Sequence, residues 1–220
     1  MAPSLKFGVL RCECNLERHG TTFIAVTGGP GGGKSAILAM AAQYFCSHVA
    51  VLPEAASIVF GGGFPRHPTD AGRRAAQRAI YHVQSELERL VAEESRVAVA
   101  LCDRGTLDGL AYWPAQADTF WAHVGSTFEA ELKRYASVIH METPLAQQGY
   151  NHENRLRIEN AQDARQLDDR ILSVWSGHPR RFVIGSSENF VDKAFQALKV
   201  IRSELPPCCH SHALPHDGAG

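Results

Sequence analysis

The residues best suited to chemistry form a glycine-rich stretch near the start of the chain, followed by a lysine and a serine. From Gly28 to Ser35 they match the pattern G-x-x-x-x-G-K-[ST] at every fixed position. Glycines let consecutive backbone N–H groups turn toward one anion, and a helix that begins there adds partial positive charge. In this pattern the lysine binds the β- and γ-phosphates of a nucleotide, and the hydroxyl binds Mg²⁺. The stretch therefore predicts a site for the triphosphate of ATP or GTP with Mg²⁺.

The segments on either side of this loop fit a strand and a helix. Residues 22–26 are β-branched or apolar and predict a buried strand, and residues 35–45 combine strong helix formers with an apolar face. The alternative is a glycine-rich turn that matches the pattern by chance. Chance would not explain the predicted strand before the loop or the predicted helix after it. We assign nucleotide binding to the loop and to the residue after it: Gly28, Gly29, Pro30, Gly31, Gly32, Gly33, Lys34, Ser35 and Ala36.

Composition and length narrow the class of protein. The chain has 220 residues, a net charge of −1 with histidine neutral, and 45% hydrophobic residues, which is typical of a globular domain. We divide it into an N-terminal extension (1–20), one domain (21–205) with a lid at about 147–170, and a flexible C-terminal tail (206–220). The charge gives no basis for nucleic-acid binding, and no transmembrane segment or signal peptide is expected. We expect a cytoplasmic protein.

Apolar runs alternate with helical patterns along the chain. Strands are predicted at residues 22–26, 48–52, 97–102, 136–141 and 181–184, and residues 5–10 could add a short one. This alternation predicts an α/β sandwich with a mostly parallel sheet of about five strands. Together with the glycine loop it predicts a three-layer P-loop NTPase fold. Ligands of such folds bind at the carboxyl ends of the strands, and the glycine loop, Glu54 and Asp103 all fall there.

A long helix is predicted from about Thr69 to Glu94, with Thr69 or Asp70 as its N-cap. Two stripes run along it. An apolar stripe is predicted to face the core: Ala76, Ile80, Val83, Leu87 and Leu90. A polar stripe lies beside it: Gln77, Tyr81, Gln84 and Glu88. The polar stripe is either solvated or, if it faces the site, able to bind the acceptor of a transferred group.

Two carboxylates follow predicted strands at the same edge of the sheet. Asp103 closes its strand where P-loop folds place the carboxylate that holds Mg²⁺, so we predict Ser35 and Asp103 as the metal-binding pair, with a helix cap as the alternative for Asp103. Glu54 follows the second strand and can accept a proton from an attacking hydroxyl. Its apolar neighbours are expected to raise its pKa, and a helix N-cap or a first-turn helical acid is its alternative role.

Arginines near these carboxylates are candidates for stabilising a phosphoryl group during transfer. Arg104 follows Asp103 directly, and a structural ion pair is its alternative role. The polar stretch at 147–170 predicts the lid, from which we choose Arg157 and Arg170, with an exposed helix of paired charges as the alternative. The predicted catalytic residues are Lys34, Glu54, Asp103, Arg104 and Arg157.

The six cysteines are scattered along the chain. Cys46 and Cys102 lie in apolar runs and are predicted to be buried thiols, which is typical of a reducing compartment. The segment Cys208-Cys209-His210-Ser211-His212 could bind a metal together with Cys12 and Cys14. The spacing does not match a zinc-site pattern, and the prolines and glycines around the segment favour a flexible tail.

Several further motifs together resemble one family. They are Thr27-Gly28-Gly29-Pro30, Pro53-Glu54-Ala55-Ala56, Cys102-Asp103-Arg104-Gly105 with Asp108, Arg134-Tyr135, Leu167-Asp168, and Trp175 with Gly177-His178-Pro179. With them, residues 22–198 resemble the P-loop "AAA domain" proteins related to the TRPL translocation defect protein and, more distantly, nicotinamide riboside kinase domains. The resemblance implies a nucleoside-kinase-like P-loop NTPase core with a lid, in which Glu54 is the acceptor-side carboxylate, Asp103 the metal-side one and Arg157 a lid arginine. Its TRPL-related branch implies binding of GTP and phosphoinositides.

Two functions follow from these residues. The first is an ATP-dependent kinase that transfers the γ-phosphate to a hydroxyl of a small-molecule acceptor, with Mg²⁺. The second is a regulatory protein, gated by GTP or ATP, that binds a phosphorylated ligand or a lipid headgroup at a membrane surface. Gly185-Ser186-Ser187 replaces the Asp-Asn-Ser that the family resemblance leads us to expect after the last strand. The choice between ATP and GTP therefore stays open.

Overall fold

The computed structural model describes residues 4–12, 14, 16, 18–144, 161–185 and 190–209. Within these residues six strands form one sheet in the order β1-β3-β4-β2-β5-β6. The strands are β1 (Lys6–Phe7), β2 (Thr22–Thr27), β3 (Val49–Leu52), β4 (Val99–Asp103), β5 (Ser137–Met141) and β6 (Arg181–Ile184). The last five pair in parallel, and β1 is an edge strand that pairs antiparallel with β3. This confirms the α/β fold with a mostly parallel sheet.

Helices cover both faces of the sheet. They are α1 (Lys34–Tyr44), α2 (Ala55–Gly61), α3 (Asp70–Glu94), α4 (Ala117–Val124), α5 (Phe128–Arg134), α6 (Ala161–Val174) and α7 (Phe190–Ser203). Two 3₁₀ helices, Thr106–Tyr112 and Pro207–Cys209, complete the described elements. No helix in the described part of the chain is both long enough and apolar enough to cross a membrane.

Side chains that alternate along the strands build one hydrophobic core on each face. In β2, Ile24 and Val26 face a core shared with α1 and α7, whereas Ala25 faces a second core formed with α3, α4 and α6. All three are fully buried. Burial on both faces is the reason that these strands are almost continuously apolar in sequence.

The strand order brings the predicted site residues to one edge of the sheet. β2 lies between β4 and β5, with Val26 opposite Asp103 and Thr27 opposite His140. The glycine loop begins directly after β2, and Glu54 follows β3. Since parallel strands end at the same edge, these groups meet there.

The packed part of the chain extends beyond both ends of the predicted domain (21–205), and β1 lies within residues 5–10, the segment in which the sequence allows a short strand. β1 lies within the predicted N-terminal extension, yet it belongs to the sheet. The tail predicted to be flexible from residue 206 continues into the 3₁₀ helix Pro207–Cys209, and Cys209 is fully buried in a core. The packed part of the chain therefore reaches residue 209. Of the predicted lid, residues 161–170 belong to α6, and residues 147–160 lie outside the described ones.

Helix α3 has the predicted start and only part of the predicted inward face. Its N-cap is Thr69, whose Oγ1 accepts a hydrogen bond from Gly72 N at 3.2 Å. Of the predicted apolar stripe, Ala76 is buried and Leu87 packs against the core, but Leu90 is 46% exposed. The predominantly polar stripe is buried as well: Gln77, Tyr81, Gln84 and Glu88. The prediction of the core-facing stripe is therefore only partly right, because the buried face of the helix also includes side chains that are held by hydrogen bonds.

Buried carboxylates make that packing possible. Glu88 accepts hydrogen bonds from three side chains: Gln84 Nε2 (2.8 Å), Tyr135 OH (2.7 Å) and Arg134 Nη1 (3.1 Å). Glu131 in α5 accepts hydrogen bonds from Tyr81 OH (2.7 Å), Thr106 Oγ1 (2.8 Å) and Arg134 Nε (2.8 Å), among others. The network joins α3, α5 and the 3₁₀ helix Thr106–Tyr112, and satisfied buried polar groups fix one arrangement of such elements.

Replacing Glu131 with alanine is expected to lower the free energy of unfolding by about 3 kcal/mol. The change leaves Tyr81 OH and Thr106 Oγ1 without this acceptor, and removes one of the carboxylates that pair with Arg134. Urea unfolding followed by circular dichroism measures the difference. Glu129→Ala, at an exposed position of the same helix, is the matched control with an expected change of about 0.5 kcal/mol or less. Similar losses in both variants would contradict the role of the network.

Candidate functional site

The glycine loop turns sharply between β2 and α1. Gly28 has a φ of 125° and Gly33 a φ of 92°, both in the left-handed region that favours glycine. A Cβ atom on Gly28 would lie 2.2 Å from the Met141 carbonyl oxygen, and one on Gly33 would lie 2.7 Å from the Phe190 ring. Since α1 begins at Lys34, the N–H groups of its first turn lie at the loop. This is the arrangement that binds a phosphate at a helix N-terminus.

Lys34 is buried beside the loop and held by it. Its Nζ atom donates hydrogen bonds to the carbonyl oxygens of Gly28 (2.8 Å) and Gly29 (2.7 Å). Burial, and then the charge of Arg104, lowers the pKa of Lys34 to about 7, although nearby carboxylates oppose this shift. A triphosphate bound at the loop would place negative charge next to the buried Lys34 ammonium and would favour its charged form.

Asp103 ends β4 on the wall of the same site. Burial, and then the charge of Glu54, raises the pKa of Asp103 to about 6, while Lys34 and Arg104 act in the opposite direction. Two carboxylates with this mutual repulsion suit a divalent cation, which favours the ionised form of both.

Arg104 connects the carboxylates with the loop. Its backbone is in the left-handed region (φ 76°), a conformation that is uncommon for a non-glycine residue. The side chain donates to Glu54 Oε1 from Nε (2.9 Å), and from Nη1 to Gly28 O (3.1 Å) and Asp108 Oδ2 (3.3 Å). Arg104 therefore forms ion pairs, as its alternative role predicted, and its guanidinium lies at the phosphate loop.

The predicted pKa of Glu54 is wrong in direction. Burial does raise the pKa of Glu54, but the charge of Arg104 and the hydrogen bonds from Ser57 and Arg104 outweigh burial, so the pKa lies below its ordinary value. Ser57 Oγ donates to Glu54 Oε2 at 2.5 Å. The apolar residues next to Glu54 in sequence do not control its environment, because the arginine comes from another strand. Glu54 is therefore ionised at neutral pH.

Asp108 is a residue that the sequence reasoning did not assign. It is 3% exposed, and its Oδ2 atom accepts a hydrogen bond from Thr27 Oγ1 at 2.6 Å as well as the contact from Arg104. Its Oδ1 atom accepts a hydrogen bond from Trp175 Nε1 at 2.6 Å. Asp108 thus joins the end of β2, Arg104 and the residue after α6, and it acts as a positioning residue. The one feature of the sequence that points to a role for Asp108 is its place in the family motif, shortly after Gly105.

Asp168 in α6 is the second unassigned residue, and it holds the loop directly. Its Oδ1 atom accepts a hydrogen bond from Gly29 N at 2.6 Å and lies 2.9 Å from His140 Nε2. Its Oδ2 atom accepts a hydrogen bond from Thr143 N at 2.8 Å, and Thr143 Oγ1 donates to Pro30 O at 3.1 Å. The loop is therefore coupled to α6, the helix that includes the last part of the predicted lid.

One cavity of about 530 Å³ opens from the loop toward α3. Its loop end contains Lys34 and Ser35, and its middle contains Glu54, Asp103 and Arg104. Its far end is lined by α2, α3 and the 3₁₀ helix Thr106–Tyr112, including the polar stripe of α3: Gln77, Tyr81 and Gln84. The structure thus brings four of the five predicted catalytic residues together on one cavity.

The other predicted site residues do not all line this cavity. Pro30 and Gly31 line the cavity with Lys34 and Ser35, and Arg170 of α6 lines it as well. Ala36 is exposed in the first turn of α1 and is not among the lining residues. Arg157 lies outside the described residues.

The residues present fit a Mg²⁺ ion. Ser35 contributes a hydroxyl and Asp103 a carboxylate to the same cavity, and Mg²⁺ prefers oxygen ligands of this kind. When bound, the ion neutralises charge on the phosphate oxygens. Burial raises the pKa of Asp103, and a bound cation would favour its ionised form.

Nucleotide binding at pH 8 is expected to take up close to one proton. With a pKa of about 7, about nine-tenths of Lys34 is neutral at pH 8 in the nucleotide-free protein, whereas phosphate oxygens favour the charged form. Calorimetric titration with Mg-ATP in two buffers of different ionisation enthalpy measures the proton number, and affinity is expected to fall as pH rises above 7. Lys34→Arg, charged throughout, is expected to take up none. Equal proton uptake by the wild type and by Lys34→Arg would show that a group other than Lys34 takes up the proton.

The sheet, the glycine loop with its lysine and the carboxylates around one cavity define a P-loop nucleotide-binding protein with a kinase-like fold. Residues 23–193 match the family described as "AAA domain", and the chain belongs to this family, which confirms the resemblance seen in its motifs. A thymidylate kinase from Candida albicans has a similar structure, with a TM-score of 0.53 and 11% identity, over 84% of this chain and 92% of that chain. No curated protein matches. At 11% identity the similarity concerns the fold.

Proposed function

We propose that this protein is a kinase that transfers the γ-phosphate of ATP to a small-molecule acceptor. The observation that carries the proposal is one shared cavity, which contains Lys34 and Ser35 at one end and Gln77, Tyr81 and Gln84 of α3 at the other. Donor and acceptor can meet in such a space in a fixed orientation, and most of the catalysis of phosphoryl transfer is positioning and charge stabilisation.

The proposed roles follow from the positions along the cavity. Lys34 and the loop amides bind the triphosphate, and Ser35 and Asp103 hold Mg²⁺. Arg104 stabilises the charge on the phosphoryl group as the bond to the bridging β,γ-oxygen breaks and the bond to the acceptor oxygen forms. Glu54 accepts a hydrogen bond from the acceptor hydroxyl, orients it, and takes its proton as the new bond forms.

The far end of the cavity favours an anionic acceptor. Arg66, Arg73 and Arg170 line the cavity, and none of them forms an ion pair within the part of the chain that the structure describes. The Arg66 guanidinium lies 3.8 Å from the centre of the Phe60 ring, which holds it in place while leaving its N–H groups for a ligand. Guanidinium groups bind phosphate well, so we propose a phosphorylated acceptor.

The same end also suits a flat, polar ring. Tyr112 and Phe60 line it with aromatic surface, and Gln77 adds an amide that forms no hydrogen bond to another described residue. Aromatic faces with a few placed amides are typical of sites for heterocyclic ligands. A nucleoside monophosphate combines such a ring with a phosphate and is the first class to test. The buried thiols Cys46 and Cys102 fit the reducing cytoplasm, which we propose as its location.

A regulatory protein gated by GTP or ATP is the second candidate, and the Asp168 contact favours it. Gly29 N–H donates to Asp168 Oδ1 at 2.6 Å, so a phosphate bound by this N–H group would compete with α6 for it. Nucleotide occupancy can thereby alter α6 and with it Arg170. In this case the arginines would bind a phosphorylated ligand or lipid headgroup without transfer.

Transfer of labelled γ-phosphate, from ATP and separately from GTP, tests the proposal. The acceptor panel contains nucleosides, nucleoside monophosphates, phosphorylated vitamins and inositol phosphates, and Lys34→Met serves as the blank. A labelled product that requires Lys34 establishes a kinase, and the donor that gives it decides between ATP and GTP. Product with unphosphorylated acceptors alone would overturn the anionic acceptor. Absence of product despite tight nucleotide binding would overturn transfer itself.

The two candidates differ in a second measurement. A gated protein is expected to bind an inositol phosphate or a phosphoinositide vesicle at least tenfold more tightly with nucleotide than without, which corresponds to a coupling of about 1.4 kcal/mol. Asp168→Asn is expected to weaken this coupling. Equal affinity with and without nucleotide would exclude the regulatory function.

A further inference from the structure

Away from the nucleotide cavity, three thiols and one imidazole come together from parts of the chain that are distant in sequence. Cys12 comes from the segment before β2, Cys46 and His48 from the turn between α1 and β3, and Cys209 from the last described 3₁₀ helix. One ligand atom from each of the four residues lies within 4.8 Å of the others.

The distances suit a tetrahedral metal site. Cys46 Sγ lies 3.5 Å and Cys12 Sγ 3.8 Å from Cys209 Sγ, and His48 Nδ1 lies 3.4 Å from the same sulfur. A tetrahedral Zn²⁺ with its usual bond lengths requires about 3.8 Å between two sulfurs and about 3.5 Å between sulfur and nitrogen. A disulfide bond requires about 2.05 Å, so these sulfur pairs are not disulfides.

We propose that Cys12, Cys46, His48 and Cys209 bind one Zn²⁺ in a closed Cys₃His site. Thiolate and imidazole ligands select zinc over magnesium or calcium, and four protein ligands leave no open position for a substrate. Cys46 and Cys209 are fully buried, and the ion offsets the burial of their thiolates.

Backbone hydrogen bonds fix the segments that carry these ligands. Gly8 N donates to Val49 O and Leu10 N to Phe45 O, which ties the chain before Cys12 to the turn that carries Cys46 and His48. Val49 N donates to Cys46 O within that turn, and Cys209 N donates to Pro206 O. Because these segments are already held in place, metal binding requires little additional ordering.

The position of the site indicates a structural role. α1 begins at the glycine loop and ends at Tyr44, and β3 begins at Val49, so the cluster lies at the end of α1 remote from the nucleotide cavity. The ion joins the segment before β2 and the Pro207–Cys209 helix to the corner between α1 and β3. Its removal is expected to lower stability without a direct effect on the site residues.

A neighbouring group, Cys14 and His19 with the shared His48, is the competing arrangement. Cys14 Sγ lies 3.7 Å from His19 Nε2, and the His19 ring contacts the His48 ring with centres 4.4 Å apart and an interplanar angle of 52°. We favour the first group because it has four ligands, two of them fully buried. A His19→Gln variant separates the two arrangements, since it is expected to keep the metal.

Metal analysis of the untagged full chain, purified without chelator, tests the proposal. About one zinc per chain is expected in the wild type, in His19→Gln, in Cys102→Ser as a buried-thiol control, and in the double variant His210→Gln/His212→Gln. Cys46→Ser and Cys209→Ser are expected to lose it. Wild type without zinc, a stoichiometric amount of another metal, or retention of zinc by Cys209→Ser would each overturn the Cys₃His assignment.

A measurement on the wild type covers the case in which the serine variants do not fold. Replacement of zinc by Co²⁺ is expected to produce the intense visible bands of a tetrahedral ion together with thiolate-to-cobalt charge-transfer absorption in the near ultraviolet. Chelation is expected to lower the melting temperature while leaving Mg-ATP affinity in the folded protein unchanged. Weak octahedral cobalt bands, or a melting temperature insensitive to chelation, would overturn the proposal.

Discussion

Replacing Lys34 with methionine is expected to lower phosphoryl transfer by about a thousandfold, with the fold intact. The ammonium is the buried cation of the loop, and it is the group placed to move from the carbonyl oxygens of Gly28 and Gly29 to phosphate oxygens. Its lowered pKa shows that burial disfavours the charge when no phosphate is bound. Methionine has a similar length and no charge to desolvate, so it is expected to leave the thermal stability unchanged or slightly raised.

Steady-state transfer and a melting curve on the same preparation measure both parts of this expectation. Lys199→Met, at an exposed position of α7, is the control for loss of a positive charge, and its activity is expected to stay within about twofold of the wild type. A loss of activity accompanied by an equal loss of folded protein would show that Lys34 is structural. Transfer close to the wild-type rate would show that the loop does not bind the transferred phosphate.

Replacing Glu54 with glutamine is expected to lower kcat about a hundredfold while nucleotide affinity changes by less than about threefold. The amide keeps the shape of the side chain but loses the negative charge that faces Arg104 and the acceptor end of the cavity. Arg104 stays near the loop, because Gly28 O and Asp108 also hold it. The effect therefore reports on the acceptor side of the reaction.

Two comparisons make the Glu54 result specific. Ser57→Ala removes one hydrogen bond from Glu54 but keeps its charge, and it is expected to cost about tenfold or less. Because the pKa of Glu54 is low and that of Asp103 is about 6, the wild-type rate is expected to fall as pH drops below 6 through protonation of Asp103. Unchanged transfer by Glu54→Gln would remove Glu54 from the mechanism.

The parts of this protein that the sequence predicts well depend on local signals. The loop requires glycine because backbone angles and close contacts at Gly28 and Gly33 exclude a side chain, and such a requirement is visible in the pattern itself. The core strands are apolar because both faces are covered. Thr69 caps α3 because its hydroxyl bonds three residues ahead.

The parts that the sequence misses depend on partners from other elements. Asp108 and Asp168 act through contacts with Thr27, Trp175 and Gly29, which only the fold brings near. The polar part of the buried face of α3 depends on hydrogen bonds with Glu131 of α5 and with Tyr135, so the hydrophobic pattern of the helix gives only part of that face. The pKa of Glu54 likewise depends on Arg104, fifty positions away in sequence.

A crystal structure with Mg²⁺ and a non-hydrolysable ATP analogue tests most directly whether donor and acceptor share one cavity. The predicted result places the γ-phosphate at Lys34 and toward Glu54 and Arg104, with Mg²⁺ at Ser35 and the space beside α3 still open for an acceptor. A nucleotide that fills the space beside Gln77 and Tyr81, or a γ-phosphate turned away from Glu54, would contradict a kinase that works through this cavity.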